Sequence, residues 1–245
     1  MEKDKFPHNK YGADPEFSLY MKKGDYIPAN KFFKGDGIIG VDGMSSTGEI
    51  RPRPNENVIY VVSDIKNILK KTAEHESMKD KEIYAGNYSG NPIGGHIHVE
   101  IPGKKEKKIE LGRELIQRMD KILFDVVTCS IEDKKGLKMR QEHGYGKRGN
   151  YNEVPWGIEY RPCGSWLLSP EISLVYLGLA KMCYWSIVLD LPSYIDSFRT
   201  FLAFIDAWSE YPEDVKVALS LFKDLVKHNQ EIDWETDILV KWGVR

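Results

Sequence analysis

The sequence predicts an α+β protein, and two patterns carry that prediction. Short segments alternating polar and apolar residues, each bounded by Gly or Pro, fill much of the first two-thirds of the chain. Helical periodicity separates them and then takes over. The order is strands, helix, strand, helix, strand, then helices, which fits a largely antiparallel sheet covered by helices.

Ala13 to Leu19, Gly37 to Val41 and Gly48 to Arg53 read as the first strands. Val58, Val61, Ile65, Ile68 and Leu69 then form one helical stripe. Gly94 to Ile101 is the next strand, and the charge run Lys104 to Lys108 after it reads as a solvated loop. A second helix carries Leu111, Leu115, Met119, Ile122, Leu123 and Val126 on one face. Arg140 to Gly149 is rich in glycine and basic groups, so it suits either a mobile loop closing over an anion or a plain surface loop. Gly157 to Pro162 is the last strand. Trp166 to Leu191 is the most apolar region, but Glu171, Lys181 and Asp190 interrupt it; it reads as buried helix and not as a membrane span. The stripe Phe198, Leu202 and Ile205 reads as core, and the last clear helix opens at Pro212 with Glu213 and Asp214 in its first turn. No repeat or long linker divides the chain, so residues 1–245 are read as a single catalytic domain, with a motif-bearing part 12–170 and a helical part 171–245.

Composition narrows the function classes. Across 245 residues, 35 Lys plus Arg face 37 Asp plus Glu, and this near balance argues against a general nucleic-acid binder. With 41% hydrophobic residues the chain can bury a substantial core. Cys129, Cys163 and Cys183 are widely spaced and form no Cys-x-x-Cys pair, which fits a reducing compartment and excludes a disulfide scaffold. The segment MEKDKFPHNKYGADPEF has no apolar stretch of the kind a secretory signal carries, so the expected location is the cytoplasm, away from membranes.

The polar faces of the strands carry the chemistry. Side chains at i and i+2 share a face. By that rule Asp14 lies with Glu16, Glu49 with Arg51 and Arg53, His96 with His98 and Glu100, and Glu159 with Arg161. One reading is an ordinary solvated sheet. The other notes that Lys, Ser and Thr, the usual decoration of solvated strands, are nearly missing, while Asp, Glu and His hold divalent metals and Arg clamps phosphate or carboxylate. Such a face could hold Mg²⁺ bridged to a polyphosphate. No Walker A sequence and no strand–GxGxxG–helix unit occurs, so any nucleotide binds by another architecture.

The blocks GADPEF, GVDGMSSTGEIRPRP, GGHIHVE and YG-x8-10-WGIEYRP-x-x-SW resemble, in order, those of the phage-type COOH–NH2 ligase family, from about Gly12 to Pro170. That family belongs with glutamine synthetase and γ-glutamylcysteine ligase. The resemblance implies a glutamine synthetase-like catalytic fold, a curved and mainly antiparallel sheet with helices on its outer face. It implies an enzyme that uses ATP and Mg²⁺ to join a carboxylate to an amine through an acyl phosphate; the partners would be an amino-acid, peptide or protein carboxylate and an amine donor. In the relatives, the residues matching Asp14, Glu16, Glu49, His96 and Glu159 bind metal, with Asp42 a less certain helper. His98 stands where a histidine contacts ATP phosphate, and Arg161 where an arginine orients the substrate carboxylate. The resemblance also implies phosphate contacts for Arg140 and Arg148, and substrate or phosphate contact for Arg51. The first block departs from the relatives in carrying Asp14-Pro15-Glu16 in place of two glutamates.

Two other function classes stand beside this one. A His/carboxylate oxygenase or hydrolase could use His96 and His98, although a cupin places its glutamate farther along than Glu100 and contains less helix. A non-catalytic nucleotide- or peptide-binding relative of the same fold is the other alternative. His8, His75 and His228 read as surface or packing residues, and Cys163 as a small buried hydrophobe. Trp156 and Trp166 could either stack on a base or pack in the core.

Overall fold

The computed structural model describes residues 8–22, 24–35, 37–42, 46–86, 92–132, 134–190, 211–227 and 232–245. Its first half contains β1 (Tyr11–Met21), β2 (Tyr26–Ile27), β3 (Ile39–Val41), β4 (Gly48–Ile50), α1 (Val58–Glu74), β5 (Lys81–Tyr84) and β6 (Gly95–Glu100). There follow α2 (Lys105–Met119), a π-helical segment Asp120–Thr128, α3 (Cys129–Ile131), α4 (Lys134–Glu142), β7 (Tyr151–Val154) and β8 (Gly157–Tyr160). Helices α5 (Pro170–Val188), α6 (Glu213–Lys227) and α7 (Ile238–Lys241) complete the described elements. The stripe at Phe198, Leu202 and Ile205, and His228, lie outside the described residues.

All pairings in the sheet are antiparallel, with strand order β3-β4-β1-β6-β8-β7 and with β2 and β5 also pairing β1. Strand β1 is the hub and changes partners along its length. Residues Tyr11 to Pro15 pair β6, Glu16 and Phe17 pair β4, and Ser18 to Met21 pair β5. Pro15 is tolerated inside this strand because odd-numbered β1 amides point away from β6, as Tyr11 N does toward Asn55 O, and the β4 pairing begins only at Glu16.

The period of two sorts the sheet into two faces. Tyr11, Ala13, Phe17, Leu19, Ile97, Val99, Ile158 and Tyr160 are buried on the face covered by α1, α2 and α5. Helix α1 starts where Asn57 accepts from Ile59 N at 2.9 Å, and it buries the predicted stripe. Helix α5 starts at Pro170 behind its Ser169 cap and is apolar almost all round. It is long and apolar enough to cross a membrane, yet 83% of its 18-residue window is buried inside the protein. It lies between α1 and α2 and packs most heavily on α6, so core burial accounts for its composition.

The structure corrects several expectations. The charge run does not stay a loop, because Lys105 already belongs to α2. Lys and Glu are good helix formers, and Pro102 and Gly103 end the preceding strand just before them. The third predicted strand stops at Ile50, and Arg53 turns outward to Asp64, 2.7 Å away, so it does not share the face of Glu49. Arg140 is not in a loop; it lies in the last turn of α4 and is buried. The second helix does not run through in α form. It widens into the π-helical segment at Asp120, whose Oδ1 accepts from Tyr160 OH at 2.8 Å and Gly149 N at 3.1 Å.

Candidate active site

The register of the central strands builds the site. Asp14 faces His96 across the β1–β6 pair, Gly12 faces His98, and His98 faces Glu159 across the β6–β8 pair. On the other side of β1, Glu16 lies opposite Glu49. Because Gly12 carries no side chain, His98 has room beside β1; a Cβ at Gly12 would meet His98 Cβ at 3.4 Å.

Distances confirm one cluster. Asp14 Oδ1 is 3.2 Å from His98 Nε2 and 3.4 Å from His96 Nδ1. His96 Nδ1 is 3.3 Å from Glu159 Oε1, and His96 Nε2 is 3.7 Å from Glu16 Oε1. Arg161 Nη1 donates to Glu159 Oε1, and Asn152 Nδ2 donates to Glu159 Oε2 at 2.9 Å. Glu16 is held by Gly94 N, which donates to Oε2 at 2.7 Å, while Ser165 Oγ donates to the Glu16 carbonyl. Despite the intervening Pro15, Asp14 and Glu16 therefore both reach His96.

Burial and charge set the protonation. Burial pushes the Glu16 carboxyl up to about 7, against the pull of His96 and the Gly94 amide. Burial and then the Asp14 charge push Glu49 up to about 8. Burial also acts to raise Asp14, but the two imidazoles beside it outweigh that and hold it well below the usual carboxylate range. For His96 the balance is reversed, with burial lowering and Asp14 raising, and the net direction is up.

The donor set suits a hard divalent cation. Ligand atoms of Asp14, His98 and Glu159 lie within 4.8 Å of one another. Asp14 Oδ1 and His98 Nε2 are buried, yet their contact is not aligned as a hydrogen bond and neither has a hydrogen-bond partner among the described residues. A cation bridging them would satisfy both, and carboxylate oxygens with imidazole nitrogens are ligands Mg²⁺ or Mn²⁺ accepts. Beside the cluster opens a cavity of about 510 Å³, lined by Glu16, Asp42, His96, Arg140, Asn150 and Arg161 among others.

The three remaining arginines divide. Arg140 lines the cavity; its Nη1 donates to Pro162 O at 3.0 Å and lies 3.4 Å from Glu132, while its buried Nε has no hydrogen-bond partner among the described residues. Arg51 stands next to Glu49, with its guanidinium turned onto β3. Arg148 is not brought to the cluster. It pairs with Asp125 of the π-helical segment at 3.1 Å, because the turn after α4 carries it outward.

Asn152, Asn150 and Tyr145 were not singled out by sequence. The pairing of Asn152 with Glu159 follows from the β7–β8 hairpin, whose two-residue connection Pro155–Trp156 is the one local signal that could have found it. Trp156 lies over His98, ring centroids 5.2 Å apart, and stays 39% exposed. Trp166 is core: it is fully buried, donates to Gly95 O and stacks on Tyr176. Cys163 is buried against Thr128, and burial pushes its thiol up to about 12, so it is inert packing.

The family model for phage phiEco32-like COOH.NH2 ligase-type 2 matches residues 11–192, from the first residue of β1 to just beyond α5. The chain belongs to this family of carboxyl–amine ligases. The matched span holds all eight strands and every residue of the cluster, so the family's sequence signal and the assembled site coincide. No curated protein matches the chain. Among solved structures the chain is similar to a bifunctional glutathione synthetase from Pasteurella multocida, with TM-score 0.48 and 10% identity over 97% of this chain and 51% of that one. It therefore spans about half the length of that enzyme.

Proposed function

We propose that the protein is an ATP- and Mg²⁺-dependent carboxylate–amine ligase with a glutamine synthetase-like fold. The observation that carries this reading is the pair of buried, unsatisfied ligand atoms Asp14 Oδ1 and His98 Nε2, set behind His96, which itself lines an arginine-flanked cavity. We read residues 1–245 as one catalytic unit, since α5 covers the apolar face of the sheet whose other face holds the cluster, and α6 packs on α5.

Asp14, Glu16, Glu49, His96 and Glu159 hold the cations; His98, expected from the resemblance at phosphate, joins Asp14 and Glu159 in that set, and Arg140 contacts nucleotide phosphate. Arg161, anchored on Glu159, turns its remaining N–H groups toward the substrate carboxylate. Bound Mg²⁺ neutralises the polyphosphate and favours transfer of its terminal phosphoryl group. In the first step a carboxylate oxygen bonds to the γ-phosphorus as the bond to the β–γ bridging oxygen breaks and ADP departs. In the second step the amine nitrogen bonds to the acyl carbon, inorganic phosphate leaves, and the nitrogen gives up a proton. No protein nucleophile is required. The electrostatic groups lining the site supply the stabilisation.

Isothermal titration with a non-hydrolysable ATP analogue, with and without Mg²⁺, tests the reading. Metal-dependent binding in the micromolar range is expected; a folded protein that binds nucleotide under neither condition would overturn it.

A further inference from the structure

We propose that Arg51 is a positioning residue, which fixes the Glu49 carboxylate, and that glycine at position 40, where the Lys34 and Gly35 carbonyls also crowd in, leaves the guanidinium room to do so. The inference rests on the reading of Glu49 as a metal ligand.

Glu49 lies opposite Gly40 across the β3–β4 pair. All three guanidinium nitrogens of Arg51 are engaged on this pair. Nε lies 2.7 Å from Glu49 Oε1, Nη1 donates to Gly37 O at 2.9 Å, and Nη2 donates to Val41 O at 3.1 Å. The Arg51 backbone N–H also donates to Ile38 O at 2.8 Å, so main chain and side chain anchor the residue together. Two carbonyls on one side of a planar fork and a carboxylate on the other leave the plane one orientation. A Cβ at Gly40 would collide with Arg51 Nη1 and come within 2.8 Å of Lys34 O.

With all three nitrogens engaged, the Arg51 guanidinium is held against Glu49 and the main chain, and only one N–H on each terminal nitrogen is left over. Its effect on chemistry runs through Glu49, which is buried beside it.

The test is Mn²⁺ affinity, read by electron paramagnetic resonance titration, together with melting temperature. It is made on the full chain and on Arg51→Ala, Arg51→Lys, Gly40→Ala and the Arg51→Ala/Gly40→Ala double variant. Removing such a support weakens metal binding by about 10- to 100-fold. That loss is expected in Arg51→Ala and Gly40→Ala, with no further loss in the double variant, because both changes remove one interaction. Arg51→Lys should bind more tightly than Arg51→Ala, since an ammonium can still reach Glu49. Affinity of Arg51→Ala within about twofold of wild type, or additive losses in the double variant, overturns the proposal. Should Gly40→Ala fail to fold, the two Arg51 variants decide alone, and equal weakness in both overturns it. Wild type that binds no Mn²⁺ removes both this inference and the reading of the site; wild type that binds while the variants match it removes this inference only.

Discussion

Lys181 and Asp214 form a buried ion pair, Nζ to Oδ2 at 2.7 Å, that joins α5 to α6. The same Oδ2 accepts from Val58 N at 3.0 Å, and the Lys181 ammonium also donates to Glu56 O at 2.8 Å. One salt bridge therefore fastens two helices to the start of a third.

Asp214→Ala should be strongly destabilising, because it strands a buried ammonium and removes a cap from α1. Breaking one side of such a pair costs about 3–5 kcal/mol, equivalent to a melting point lower by roughly 10 °C for a chain of this size. Replacing both partners with Met and Leu should cost much less than Asp214→Ala alone. Thermal melting checks both statements, and a single variant that melts with wild type refutes them.

His96→Ala and Glu159→Ala should fold normally and lose Mg²⁺-dependent nucleotide binding to below detection by calorimetry. Arg161→Ala should retain most of that binding and lose turnover, because Arg161 lines the cavity and its proposed partner is the substrate carboxylate. Unchanged nucleotide affinity in both of the first two variants would remove the metal assignment.

The cluster should also make stability depend on pH in a defined sense. Glu16 and Glu49 titrate near 7 and 8 in the folded chain against 4.5 as ordinary glutamates. The folded state therefore binds protons more tightly than the unfolded one, and these groups lend stability that is full below pH 4.5 and lost as the pH rises through 7 to 8. Metal-free protein should thus melt lower at pH 8.5 than at pH 6, and added Mg²⁺ should raise the melting point more at the higher pH. Differential scanning calorimetry at both values decides; the same Mg²⁺ effect at each would contradict the burial argument.

What the sequence could disclose follows from what is local. The shared faces of Asp14 with Glu16, His96 with His98, and Glu159 with Arg161 depend only on the period of two, and those residues do meet. Which strands would be neighbours is non-local, and it was the family resemblance that brought the separate faces to one site. Arg140 was misplaced because KKGLKMRQE is short, polar and interrupted by Gly136, so nothing in its pattern announces a helix whose final arginine is buried. The strands β2, β5 and β7, two to four residues long, were not read from the sequence. The setting of Arg51 was hidden because two of its three partners are main-chain carbonyls, which look alike in every sequence.

The way β1 shares its length among four other strands has a kinetic consequence. Glu16 alone is tied to Gly94, 78 residues further on, and to Ser165, 149 residues further on. Closing such loops costs entropy before any contact returns it, and chains dominated by distant pairings reach the native state in milliseconds to seconds rather than microseconds. A nascent chain emerging from the ribosome holds β1 without β6 until Glu100 has been added. Until then its hub strand offers an unpaired edge to any neighbour.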